Sequence, residues 1–495
     1  MSELSRAVAE PPRVLGVGAT SPMAGLERRA VGMVDVLAQS VGATAPTAAA
    51  TTVPALIAGQ TGGSVLGCLV LSWVLAGLVT FTLGQFTRRM RAPGSLYTFT
   101  TRGLGTWAGF ASAAAQLTGY AFLCMYCLVV AAVAVLPLVP GGSSGGRVAT
   151  CLGVAVLGLA CFLVLRRGIR LSARITLIVE LVAVAGLLVA MSAVLAQAGW
   201  SGLAAPLASA WPAPHTLVAG IALGTTAFVG FESAAALGRE ARRPFRTIPR
   251  AMRWTVIGVG VAYVFSAYTQ QIGAKAFAVP LGGNELVVPQ LAGHTGIPGV
   301  AYVLEAALAT SFLACAIASF TALSRVVFTL GREGLLPRAV GSADPLRGTP
   351  SGALVAVVPG VVGLPIVMMA LGSSPASLML PLISVSAVGF LGSYLLAAVA
   401  APVFLHRIGE LSRRTLVIPA LTALVLAAIL LTYVIVVARD DRTAFVIVLL
   451  LAAAATAAGF VAHRLRPHAI SEMGLFDETT LGDLLGAAEP AAGVR

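Results

Sequence analysis

Twelve stretches of the chain are each long and apolar enough to cross a bilayer, and this constrains the fold more than any other feature. They fall near residues 33–58, 64–86, 105–136, 148–165, 172–198, 215–238, 252–274, 299–329, 352–371, 378–404, 415–437 and 443–462. A spanning helix needs about 20 predominantly apolar residues, and with 58% of its 495 residues hydrophobic and only 10% charged the chain supplies them. A soluble domain carries charge on roughly a quarter of its residues, so a soluble fold is excluded. The runs are long and lack a period of two, which predicts helices whose backbones satisfy their own hydrogen bonds, and not a barrel. The third and eighth runs are long enough to extend past the bilayer.

The net charge of +13 suggests nucleic acid only while its location is ignored. When the 32 basic residues are assigned to alternate sides of twelve spans, 28 fall on the side of the N-terminus. The other side holds only Arg147, Lys275, Arg439 and Arg442. This positive-inside pattern predicts cytoplasmic termini and an even span count, and it excludes nucleic acid as the partner. The run Arg239 to Arg246 reads as a topology determinant and a contact for anionic membrane lipids. Residues 1–30 lack the apolar core of a cleavable signal, so the first span is itself the insertion signal. The tail from about residue 465 carries five acids and is expected to be largely exposed.

Two spans are poor uniform helices. The first contains Gln39-Ser40-Val41-Gly42-Ala43-Thr44-Ala45-Pro46, and Pro46 suits the first position of a new helix better than the interior of an old one. The sixth contains Thr226-Ala227-Phe228-Val229-Gly230-Phe231-Glu232-Ser233, with a glycine beside an intramembrane carboxylate. Either feature alone describes a kink. Their placement five helices apart says more, because a repeat of five spans inserts its second copy upside down. Broken helices at matching places in inverted halves point to the midplane site of a secondary transporter. Half-helix N-termini there offer amides to an anion, and C-termini offer carbonyls to a cation. A zwitterion such as an amino acid matches both, its carboxylate on the amides that begin the outer half of span 1 and the inner half of span 6.

The same residues resemble a known family. Thr226 to Ala251, TAFVGFESAAALGREARRPFRTIPRA, is similar to the sixth-helix motif of the amino acid–polyamine–organocation (APC) permeases. ALSRVVFTLGREGLLP at residues 322–337 with RGTP at 347–350 resembles that family's pattern after helix eight. RRMRAPGSLYTFTTRGLGTWAGF at residues 88–110 resembles its approach to helix three. The resemblance covers about residues 30–465. It implies an all-α polytopic membrane protein of 12 transmembrane helices, a LeuT-like 5+5 inverted repeat plus two peripheral helices, with helices 1 and 6 discontinuous. The expected parts are a cytoplasmic segment at 1–30, repeats at 31–198 and 215–404 joined by an extracellular loop at 199–214, helices 11 and 12 at 405–464, and a tail at 465–495.

Carried over residue by residue, the resemblance places substrate at Ser40, Val41, Gly42, Ala43 and Thr44 in the first break and at Phe228, Val229, Gly230 and Phe231 in the second. Phe228 and Phe231 also suit an aromatic gate, and Tyr120 in helix three either lines the site or packs beside it. Two departures are plain: the helix-five lysine of some family members is missing, since Lys275 is the chain's lone lysine, and Thr226 stands where arginine/agmatine exchangers carry tryptophan.

Three acids, Glu180, Glu232 and Glu305, fall clearly inside spans, where charge is costly and therefore points to function. Glu232 begins the inner half-helix, as a cap, a gate or a proton carrier. Glu180 and Glu305 read as structural polar partners. The function expected is transport of an amino acid or related amine across the cytoplasmic membrane, coupled to protons or to a counter-substrate, with no cofactor. The alternatives are sodium coupling, with Thr310 and Ser311 joining carbonyls of the first break, and a membrane-embedded enzyme. No His/Asp/Glu constellation or nucleotide-binding loop favours the enzyme, and Cys124 with Cys127 lacks the second pair that a metal site needs.

Overall fold

In the computed structural model, residues 21–138, 146–199, 212–282, 287–297 and 299–478 are described. Most of the expected loop at 199–214, residues 1–20 of the N-terminal segment and the end of the tail lie outside them. The described residues are almost entirely helical. In chain order the helices are α1 (Met33–Thr44), α2 (Pro46–Thr61), α3 (Val65–Thr87), α4 (Leu96–Leu104), α5 (Thr106–Val135), α6 (Arg147–Arg166), α7 (Ile169–Ala198) and α8 (Pro214–Thr226). A 3-10 helix (Phe231–Leu237) follows, then α9 (Pro244–Ala276), α10 (Val287–Gly293), α11 (Val300–Arg332), α12 (Ser351–Ala370), α13 (Pro375–Arg407), α14 (Arg413–Asp440), α15 (Arg442–Leu465) and the short α16 (Pro467–Ser471).

Among the described residues, ten helices are long and apolar enough to span a membrane, counting α1 with α2 as one. The pair α8 and the 3-10 helix, bent by 40°, makes eleven. The seventh expected span is present as the 33-residue α9, which is less apolar than the others and so falls outside this count. Its polar side chains turn inward: Ser266 Oγ and Gln270 Nε2 donate to Ala50 O at 2.9 and 2.7 Å, and the Tyr263 hydroxyl is aimed at carbonyls of both breaks. A hydropathy scale counts such groups as polar although these donors are paired inside the protein.

Burial separates the centre from the rim. The apolar stretch of α11 is 78% buried, whereas that of α15 is 11% buried and presents Leu449, Leu450, Phe460 and Val461 outward. Helices α5 and α13 cross backbone to backbone, since a Cβ at Gly389 would lie 2.6 Å from both Ala115 O and Gly119 N. Small residues allow this approach where no hydrophobic effect drives helices together.

On the arginine-rich side, the starts and ends of the two broken spans are tied together. Val31 N–H donates to Glu240 O at 2.9 Å and Arg242 N–H donates to Val31 O at 3.0 Å. Glu240 itself is buried against Arg325 of α11 in a two-pronged ion pair, with Arg325 Nε 2.8 Å from Oε2. The tail is described as far as residue 478, and there residues 473–477 pack against the helices where exposure was expected. Met473 and Asp477 are buried, and Gly474 and Leu475 donate backbone N–H groups to Glu333 at 2.7 and 2.9 Å. Asp477 is drawn in because Arg28, Arg91 and Arg239 converge on it.

Candidate functional site

The first span breaks at Ala45, which sits in the left-handed region at φ 43° and ψ 62° between α1 and α2. Pro46 occupies the first turn of α2, where its missing N–H costs nothing. The second break runs over 227–230 and ends on Gly230 at φ 109°. Glycine is required there twice over. Its backbone conformation is one that L side chains rarely adopt, and a Cβ would lie 2.3 Å from Ala43 O. The two breaks touch at this point.

Each set of backbone groups freed by the breaks has partners. At the C-terminus of α1, Ala43 O accepts from Cys315 Sγ, and Thr44 O faces the Tyr263 hydroxyl at 3.2 Å. The same hydroxyl lies 2.7 Å from Ala227 O, so one tyrosine of α9 bridges both breaks and its single proton serves one carbonyl at a time. At the N-terminus of α2, Thr47 N–H donates to Glu180 Oε1 at 3.1 Å and Ala48 N–H to Ser311 Oγ at 3.3 Å. Ser311 Oγ also donates to Glu180 Oε1 at 2.9 Å. In the second break, Gly230 N–H donates to Glu232 Oε2 at 3.0 Å. Tyr120 donates to Glu232 Oε1 at 2.8 Å, and Tyr394 of α13 donates to Oε2.

Among the residues read from the sequence, Ser40, Gly42, Ala43, Thr44, Phe228, Val229, Gly230, Phe231 and Glu232 are buried around this junction, and Val41 is half-buried. Ser40 Oγ donates to Phe231 O at 2.7 Å, joining one break to the other directly. Phe228 packs edge-on against Tyr263, and Phe231 stacks with Tyr394. The pair Thr310 and Ser311 divides: Ser311 reaches the first break, whereas Thr310 donates to Ala306 O and Ala307 O of its own helix. Sequence reasoning missed Tyr263 and Tyr394 and left Glu180 as a structural partner. Glu180 is fully buried, and its Oε2 has no hydrogen-bond partner. The available signal was an acid inside a span, which alone does not say what it faces.

The arrangement brings two buried carboxylates and the carbonyls of α1 to one closed junction. Both carboxylates occupy amide positions where an external anion is expected. Among the described residues, no group of three or more His, Cys, Asp or Glu side chains is arranged to hold a metal ion.

Comparison with known proteins decides the family. The family model for amino acid permeases matches residues 31–457. The chain belongs to the amino acid permease family. The permease is 26% identical over 356 residues to the branched-chain amino acid permease BcaP of Lactococcus lactis, covering 66% of this chain and 74% of that protein. It is 23% identical over 310 residues to the low-affinity putrescine importer PlaP of Escherichia coli K12, covering 60% of this chain and 66% of the importer. Among solved structures, MhsT in complex with L-phenylalanine superposes with a TM-score of 0.57 at 15% identity, covering 82% of this permease and 99% of MhsT. That likeness shows a shared fold. The permease is thus an all-helical, multi-pass membrane protein.

Proposed function

We propose that this permease is a secondary carrier that moves an amino acid or related amine across the cytoplasmic membrane by alternating access, with the junction of the two breaks as its substrate site. The observation that carries this reading is the contact of Gly230 with Ala43, which places two interrupted helices, their half-helix ends and two carboxylates at one buried point. The relatives named for branched-chain amino acids and for putrescine bracket the substrate class, since both substrates carry an ammonium group. Glu180 and the carbonyls of α1 suit that ammonium, and Phe228, Val229 and Phe231 suit an apolar side chain. In the same reading the chain comprises two inverted five-helix repeats with α14 and α15 outside them, and its arginine-rich side faces the cytoplasm.

The occupied amide positions suggest how a proton is coupled. While Glu232 is ionised it holds the Gly230 N–H, a charge-assisted bond that competes with a substrate carboxylate for the same donor. A proton on Glu232 weakens that bond and frees the amide, so proton and substrate bind together. Sodium coupling would draw on the oxygen lone pairs of Thr310 and Ser311, and Ser311 Oγ already accepts the Ala48 N–H. The reading is tested by counterflow in proteoliposomes: internal unlabelled substrate accelerates uptake of labelled substrate for a carrier, and an enzyme gives no such trans-stimulation.

A further inference from the structure

We propose that the arginine-lined pocket beside the first turn of α9 is a binding site for the phosphate-bearing headgroup of an anionic lipid. The cavity, of about 420 Å³, is lined by Arg28, Arg91, Arg239, Arg242, Arg243 and Arg246 among others. These side chains come from three separate segments of the chain: the lead into α1, the link between α3 and α4, and the stretch that joins the inner half of the broken sixth span to α9.

Three observations point to an oxyanion here. The pocket wall already holds one: Arg239 Nη1 lies 2.6 Å from Asp477 Oδ1, and Arg28 and Arg91 each approach Oδ2 at 3.4 Å, with Ser21 Oγ donating to Oδ1 at 2.8 Å. Each guanidinium offers Asp477 one N–H, and such charge-assisted bonds form to a carboxylate or a phosphate oxygen alike. Next, Arg242, Arg243 and Arg246 line the cavity with exposed side chains, so the positive wall facing the solvent is open to a ligand. Finally, Arg91 lies 5.1 Å over the ring of Phe245, which fixes its guanidinium at the pocket edge.

The lipid is favoured as the source because the basic surface continues from the pocket onto the outer face of α9. Arg246, Arg250 and Arg253 follow at helical spacing and are exposed, and Phe245 and Trp254 are exposed beside them. At 1.5 Å per residue, Trp254 lies about 12 Å along the helix from Arg246. Arginines above an indole at this depth match the headgroup and interfacial layers of a bilayer leaflet. A lipid seated here would have its phosphate in the pocket and its chains along α9. Because Arg239 directly follows the inner half-helix of the broken span, an occupied pocket would also hold that half-helix in place. The assignment of this face to the cytoplasmic leaflet rests on the proposed orientation of the permease. The binding itself does not, and it is measured without transport.

The test is native mass spectrometry of the full-length protein in detergent, titrated with dioleoylphosphatidylglycerol or dioleoylphosphatidylcholine. The wild type should retain one phosphatidylglycerol in preference to phosphatidylcholine. R242Q/R243Q/R246Q should weaken that retention about tenfold or more, R242K/R243K/R246K should be intermediate, and R407Q/R413Q/R414Q, on the same side but outside the pocket, should leave it unchanged. Equal weakening by both glutamine triples would reduce the effect to bulk charge and overturn the site. Equal retention of the two lipids would overturn it as well. Displacement of the lipid by inorganic phosphate or glycerol 3-phosphate at matched concentration would overturn the lipid as occupant and assign the pocket to a soluble anion. If the glutamine triple does not fold, R243Q alone against R243K carries the same comparison.

Discussion

Tyr120 of α5 donates its hydroxyl proton to Oε1 of Glu232 at 2.8 Å, across 112 positions of sequence. With Tyr394 on the other oxygen, the carboxylate beside the second break is clamped by two helices that contribute nothing else charged to it. Tyr120→Phe or Tyr394→Phe leaves a buried oxygen with one donor fewer, at a cost of about 1–3 kcal/mol. Each variant should melt earlier in detergent, and the double variant should lose less than the sum because both act on one group. Counterflow should fall about tenfold or more in either. Full activity and an unchanged melting temperature in both would mean that the clamp is incidental.

Gly230→Ala should abolish transport. The new methyl group would meet the Ala43 carbonyl at 2.3 Å in a backbone conformation that already disfavours a side chain, and neither break can retreat without moving a half-helix. Gly258, on α9, faces open space where a Cβ would lie, with nothing within 4 Å, and provides the control. Gly258→Ala should transport normally, and loss of activity in both variants would point to expression or folding in place of the junction.

Glu180 joins α7 to the first turn of α2 and to Ser311 of α11 through a single oxygen. Glu180→Gln keeps that acceptor and supplies an amide donor in place of the unpartnered Oε2. The fold should survive while substrate affinity drops, because the negative charge nearest the first break is gone. Glu180→Ala should also destabilise, by about 1–3 kcal/mol, through the stranded Thr47 amide and Ser311 hydroxyl. Binding isotherms and melting curves separate the two effects. Unaltered affinity in the glutamine variant would confine Glu180 to a structural role.

Stability around Glu333 should depend on pH. Burial pushes the Glu333 carboxyl up to about 7, outweighing the Leu475 and Gly474 amides, the Tyr97 hydroxyl and the nearby Arg102 that pull it down. A group whose proton affinity is raised in the folded state favours folding when protonated. Its stabilisation is full below the ordinary carboxylate range near 4.5 and is lost as pH rises through about 7. Relative to Glu333→Gln, the wild type should therefore lose melting temperature in detergent between pH 5.5 and pH 8. Glu333→Gln should flatten that dependence, and a dependence that survives in Glu333→Gln would assign it to another group.

Much of this site was legible because broken helices leave local marks. Pro46 after Gly42 and Thr44, and Gly230 beside Glu232, are residues that a uniform membrane helix does not place at mid-depth, and the breaks fall at those residues. The partners of the breaks carry no such mark. Tyr394 sits in an otherwise apolar run, and Tyr263 in a helix whose polar residues look like a weak span, until the fold brings them to carbonyls and a carboxylate from distant segments. The tail misled for the same reason. Asp477 reads as solvated until three arginines from separate segments converge on it, whereas Glu472 and Glu478 are exposed as expected.

The most direct measurement is substrate affinity of the purified permease as a function of pH, in the wild type and in Glu232→Gln. If protonation of Glu232 frees the Gly230 amide for the substrate carboxylate, wild-type affinity falls as pH rises, by up to about tenfold per unit through the titration. Glu232→Gln, which stays neutral, then binds equally across the range. A wild-type affinity independent of pH, or a pH dependence that persists unchanged in Glu232→Gln, would contradict the account.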